Sequence, residues 1–341
     1  MANYSPSALA KAQAMLTNKF KTESLKYITP TTFLAVKQLT EIMLPSHKEL
    51  RTREDRTVEA YAPARTKRSL GSSRDHDHTG DKGDSIALVP QWQTSSDKFS
   101  ISLKQGDNNV MSYEEMLVIE FENVLRNFAE GLESDAQDFI FNSRSAVGVA
   151  SSVATYDSGD NVYTIDSVDA QQAVQLAKIV MKENALKGNY IAFCTPRAFA
   201  TFEYGMNQGQ GNSTNLGFQY SNVEFVESIG LESLFAGLSG SYGNGEWIMV
   251  PTDALASLDW IPKQNRQGVT TNEQTYGTII NPIDGYTYAL HTYAERSDDT
   301  LTNGYTQDEL RQFEVSIDIA METAPLTVTG ETCIQAFAIG S

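Results

Sequence analysis

The chain has 341 residues, 40% of them apolar and 20% charged, which excludes a disordered or low-complexity protein and allows two or three lobes with real cores. Two distant cysteines, Cys194 and Cys333, exclude a disulfide framework, and a formal charge of −17 argues against general attraction to duplex DNA. The charge is polarised: residues 1–74 hold 13 Lys+Arg against 6 Asp+Glu, and the rest of the chain holds 13 against 37. A basic head on an acidic body suits self-association. No apolar stretch reaches the ~18–20 residues of a membrane span, and the N-terminal segment lacks the apolar centre of a secretion signal. The expected setting is solution inside a cell, with no membrane.

Residues 5–19 read as a short amphipathic helix, with Ala8, Leu9, Ala12, Met15 and Leu16 on one side. A second helix is expected over 32–44, where Phe33, Val36, Leu39 and Met43 share a stripe and Pro45 stops it. Neither has a visible core of its own, so both read as an arm that packs on something else. From 46 to 110 the texture changes. Arg51, Arg53, Arg56, Arg65, Lys67, Arg68 and Arg74 stud its first half, and residues 71–84 (GSSRDHDHTGDKGD) read as a polar loop tip. Strand-like segments flank that tip, at Val58, Ala60 and Ala62 before it, and at 86–89 and 99–103 after it. The pattern predicts a long two-stranded β-arm. An isolated hairpin is marginal in water, so the arm is expected to rest on a neighbouring subunit.

Ser112 opens S-Y-E-E, a capping box with Glu115, and predicts a helix to residue 141. Leu117, Phe121, Val124, Leu125, Phe128, Leu132, Ala136, Phe139 and Ile140 recur at spacings of three and four. Its polar side is assigned Glu114, Glu120, Glu122, Glu130, Glu133, Asp135 and Asp138, with Arg126 the one basic residue. Residues 147–165 read as short strands and turns, with a turn at 157–160. Ser167 is expected to cap a further helix that carries Ala170, Val174, Ala177 and Met181 and closes at Lys187-Gly188. A buried strand at 190–194 leads to Thr195-Pro196 and a helix to 204. A glycine- and asparagine-rich loop spans 205–217. Strands are expected at 223–226, 247–250, 286–293, 313–319 and 332–339. Late strands must pair with early ones, so the fold class is α+β with an interrupted domain.

Motifs for chemistry are sparse. The Asp75–His78 stretch (DHDH) begins like a calcium loop, but its twelfth position is Ile86 where a bidentate Glu belongs. A solvated loop tip is the better reading, so no metal is assigned. There is no phosphate-binding GxxxxGK[ST] and no GxSxG, and the spacing of Cys194 and His291 supports no nucleophilic pair. No catalytic residue and no cofactor is assigned, and the chain is not read as an enzyme.

The order of these elements resembles the HK97-like fold of tailed-phage major capsid proteins. Four stretches carry the resemblance. They are 98–128 (KFSISLKQGDNNVMSYEEMLVIEFENVLRNF), 168–203 (VDAQQAVQLAKIVMKENALKGNYIAFCTPRAFATFE), 218–230 (FQYSNVEFVESIG) and the strand-rich end after Tyr286. It implies an N-terminal arm (1–50), an extended β-loop (51–111), a peripheral domain with a spine helix (112–166), an axial domain (167–284) and a return to the peripheral domain (285–341). It also implies hexamers and pentamers closing into an icosahedral shell around double-stranded DNA, held without sequence-specific contact. Assembly in the host cytoplasm and residence in the virion follow. The chain has no long helical scaffolding segment at its start, which implies a separate scaffolding protein beside a portal and decoration proteins. The Lys, Asn and Glu of self-crosslinking members match no particular residues here. The subunit-contact candidates are Arg51, Arg53, Arg56, Arg65, Lys67 and Arg68 on the arm and Glu120, Glu130, Glu133 and Asp138 on the spine, set against acids or bases of another copy. An encapsulin-type compartment shell, another virion part, and a carbohydrate-binding or hydrolytic β-rich protein are the alternatives.

Overall fold

The spine helix is where sequence pattern and packing agree most directly. The computed structural model describes residues 6–22, 30–43, 56, 60–63, 85–102, 113–208, 222–240, 242–271, 274–297, 308–324, 326 and 329–340. Two N-terminal helices, α1 (Pro6–Thr22) and α2 (Thr31–Met43), precede the spine, α3 (Tyr113–Asn142). At ~1.5 Å per residue, α3 is a rod of about 45 Å. Leu117, Phe121, Val124, Leu125, Phe128, Leu132, Ala136 and Ile140 form its buried stripe. Ser112 lies outside the described residues.

The N-terminal two-thirds of α3 packs on a five-stranded sheet. Its strands are β3 (Gln93–Ser102), β9 (Leu255–Trp260), β10 (Gln274–Ile280), β11 (Thr287–Ser297) and β12 (Asp308–Thr323). The order is β10-β11-β12-β3, and β9 pairs with the far end of β12. All pairs in this sheet are antiparallel. Phe313 and Phe99 face each other in register and stack at 4.7 Å, and Phe121 of the spine meets Phe99 edge-on at 5.1 Å. A cross-strand aromatic pair capped by a third ring is a strong determinant of register.

The other core surrounds a six-stranded sheet of order β4-β5-β13-β8-β6-β7. Its strands are β4 (Thr155–Asp157), β5 (Val162–Ile165), β6 (Tyr190–Cys194), β7 (Val223–Glu227), β8 (Glu246–Pro251) and β13 (Gln335–Ile339). Every residue of β6, β8 and β13 is buried, which is why these segments read as apolar runs without alternation. Trp247 and Phe337 pair in register and stack at 5.5 Å, with Phe202 edge-on to Trp247 at 5.2 Å. Four further α-helices are described: α4 (Ala173–Glu183), α5 (Pro196–Gln208), α6 (Leu231–Ala236) and α7 (Lys263–Gln267).

Several expectations are corrected. Ser167 does not cap α4. A 3-10 turn, Ser167–Gln172, comes first, and Asp166 caps it by accepting from the Val168 amide. Nor does Lys187-Gly188 close α4: the helix ends at Glu183, and Ala185 takes the left-handed conformation (φ 59°) where glycine is usual. Residues 99–103, assigned to the β-arm, include the end of β3, which lies in the five-stranded sheet because Phe99 belongs to that core. Residues 255–260 and 274–280 join the five-stranded sheet, whereas 155–165 and 335–339 join the six-stranded one. What remains of the arm is β1 (Ala60–Pro63) paired antiparallel with β2 (Ser85–Leu88), a sheet of its own.

Candidate subunit-contact surfaces

The basic head meets the acidic spine within one chain. Lys11 pairs with Glu114 at 2.9 Å and Lys19 pairs with Glu122, each 103 residues on. A constant offset over two turns means that α1 and α3 run parallel side by side. Ala12 and Leu16 fill the seam against Leu117 and Phe121. Glu122 is only 6% exposed and also takes Arg126, one turn further along α3. Part of the charge polarity is therefore neutralised inside the protomer.

The acidic candidates divide by burial. Glu130 and Asp138 are exposed and Glu120 is half-exposed, so all three are open to a partner. Glu133 is not. It is 5% exposed and both its carboxylate oxygens are engaged, accepting from the Thr32 amide at 3.2 Å, the Phe33 amide at 3.0 Å and the Gln137 side chain at 2.8 Å. It caps the start of α2, where a negative charge meets the positive end of the helix dipole. Its assignment as a contact to another copy is corrected on that ground. Glu122, placed on the polar side from sequence, is buried for a parallel reason. Both residues lie three or four positions from buried Val118, Leu125, Ala129 and Ala136, a spacing that could have assigned them to the packed side. Asp135 is half-buried beside Asp138, and burial followed by that neighbouring charge pushes its carboxyl up.

Of the basic candidates, Arg56 is described, and it also meets its own chain. Its guanidinium lies 3.5 Å from Asp318 of β12 and 5.5 Å from the centroid of Trp260. Asp318 additionally accepts from the Thr94 hydroxyl. The Arg56 side chain remains 45% exposed, so only part of it is committed to this contact. Arg51, Arg53, Arg65, Lys67 and Arg68 lie outside the described residues, as do residues 71–84 with the DHDH stretch.

Exposed apolar side chains supply a second kind of surface that sequence reading passed over. Val168 is 88% exposed, Val89 68%, Ile229 66% and Tyr204 61%. Val168 sits in the 3-10 turn and Tyr204 on α5, both flanking the six-stranded sheet.

The described residues bring no catalytic set together. Cys194 lies in the six-stranded sheet and His291 in the five-stranded one. Burial, with a smaller push from Glu227, raises the Cys194 thiol far above the nucleophilic range, and burial holds Cys333 up at about 11. No group of three or more metal-ligating side chains occurs among the described residues, and none of their helices is long and apolar enough to cross a membrane.

No model of a known protein family matches the chain, and no curated protein matches its sequence. Solved structures do match. A structure described as Mycobacterium phage Che8 aligns over 92% of this chain and 93% of its own, at 11% identity and a TM-score of 0.50. The cyanophage Pam1 capsid asymmetric unit aligns over 85% of this chain and 87% of its own, at 10% identity and a TM-score of 0.47. The asymmetric unit of the bacteriophage PhiM1 mature capsid aligns over 84% and 83%, at 11% identity and a TM-score of 0.45. At such identities the likeness is one of fold. The chain has the α+β, HK97-like fold: a spine helix, one sheet along it, and a second mixed sheet beyond its end.

Proposed function

We propose that the chain is a major capsid protein that assembles into hexamers and pentamers of an icosahedral shell enclosing phage DNA. The observation that carries this reading is the β1–β2 hairpin, a two-stranded sheet joined to neither larger sheet. Two strands alone are marginal in water, so the hairpin needs a further surface to rest on. Another copy supplies that surface in a shell. The fold shared with a phage structure supports the same conclusion.

In this reading the open acids of the spine, Glu120, Glu130 and Asp138, face bases of an adjacent copy, with Arg51, Arg53, Arg65, Lys67 and Arg68 as the partners. Arg56 contributes its exposed portion. A separate scaffolding protein guides closure, a portal and decoration proteins complete the particle, and the shell encloses packaged DNA without sequence-specific contact, its acidic body repelling the duplex. The chain acts as a structural protein and not as an enzyme, assembling in the host cytoplasm.

Replacing residues 60–88 by a short flexible linker tests the role of the hairpin. The shortened chain should keep its fold by circular dichroism and fail to form rings or shells. Normal particles from the shortened chain would contradict the proposal.

A further inference from the structure

The described chain passes between the two sheets three times: after Asn142, between Pro251 and Leu255, and between Thr323 and Gln335. These crossings are bonded to one another. The Ala324 amide donates to the Ala254 carbonyl at 2.9 Å, the Thr332 hydroxyl to the Ser143 carbonyl at 2.7 Å, and the Ser145 amide to the Ile334 carbonyl at 2.9 Å. Three crossings gathered in this way form a hinge line. They join the sheets along that line, and the elements that pack in both cores brace it: the spine, through Leu132 and Ala136 on one side and Ile140 and Phe141 on the other, and α2.

Helix α2 is such an element, and it does so from Thr31 to Thr40. Phe33 packs in the five-stranded core, 5.2 Å from Tyr286, whereas Ala35, Val36 and Leu39 pack in the six-stranded core. Its polar contacts divide in the same way. On the six-stranded side, the Thr31 hydroxyl donates to the Glu227 carbonyl at 2.8 Å and the Thr32 hydroxyl to Ser228 at 2.9 Å. On the five-stranded side, the Thr40 hydroxyl accepts from the Ser257 amide at 2.7 Å. Lys37 donates to the Asp284 carbonyl at 3.2 Å and lies 3.4 Å from the centroid of the Tyr286 ring. Glu133 of the spine fastens the N-terminal end.

We propose that α2 is a removable bolt across the hinge: docked, it fixes the angle between the two sheets, and released, it lets them pivot. The bolt lies in the N-terminal arm, outside both sheets in the chain order, so it can leave without breaking a strand pair. Its release uncovers Glu133 to water, which relieves the cost of a buried carboxylate left without its two amide donors. This inference concerns a single protomer and does not depend on the shell proposed above.

The test uses the full-length chain with spin labels on cysteines introduced at exposed Glu224 (β7) and Ile280 (β10). The native thiols, Cys194 and Cys333, are buried and react slowly. Glu133→Gln loosens one end of the bolt and Thr40→Val the other. Amide exchange over α2 should quicken by roughly ten- to hundredfold in each variant. The distance distribution between the labels, narrow in the parent, should broaden in both. Faster exchange with an unchanged distribution would overturn the proposal, as would unchanged exchange in both variants.

Discussion

Two buried carboxyls titrate in opposite directions because their surroundings differ. Glu246 is 3% exposed, and burial raises its carboxyl even though the Thr195 hydroxyl donates to it at 3.2 Å. A raised folded-state value means that the folded chain holds this proton more tightly than the unfolded one. The contribution is full in acid and lost as pH rises through the raised value. Asp160 is buried too, which pushes its carboxyl up, but the Ser239 hydroxyl and amide, the Gly240 amide and the Tyr242 hydroxyl together bring it below the usual range. Its contribution is present at neutral pH and lost as pH falls through the lowered value. Glu246→Gln should therefore raise the melting temperature at pH 7 and leave it unchanged in strong acid. Asp160→Asn should lower it at pH 7, with the difference fading in acid. Melting curves against pH for the two variants check both signs. Ala185 offers a simpler case. Its positive φ is disfavoured by an L side chain, so Ala185→Gly should stabilise the chain by roughly 0.5–1 kcal/mol in denaturant unfolding.

At the scale of elements, the spine helix was legible in sequence because its apolar period runs unbroken from Leu117 to Ile140. Strands β6, β8 and β13 were legible as apolar runs between turn signals. Strands β9 and β10 were not foreseen. Gln274–Ile280 places Gly277 at its centre among polar residues, and Leu255–Trp260 follows β8 after only three residues, so neither stands apart as a segment. Pairing with the long β12 and β11, and not local propensity, makes them strands. The contact candidates were less legible than the fold. A helix wheel separates polar from apolar but does not say that α2 will arrive at Glu133, or α1 at Glu122. Gly131 gives an element-scale test. A Cβ built there meets nothing within 4 Å, so Gly131→Ala should stabilise the isolated protomer by about 1 kcal/mol, read from the shift in urea midpoint. A loss of stability would mean that the spine is not open at that turn.

For the whole molecule, the internal pairing of Lys11 and Lys19 changes how the net charge of −17 is to be read. Among the acidic contact candidates, Glu120, Glu130 and Asp138 are the ones left open on the spine. Assembly steered by those acids should weaken with salt, because exposed charge pairs are screened beyond ~10 Å at 0.1 M. Reversing Glu130 and Asp138 to Lys should slow or abolish assembly and flatten its salt dependence while leaving the protomer folded, as followed by light scattering. The most direct measurement of the central claim is electron microscopy of the full chain, expressed alone and together with its neighbouring genes. Five- and six-membered rings or closed icosahedral shells are the predicted result. A monomer that stays a monomer under every condition, a scaffolding protein included, would contradict it.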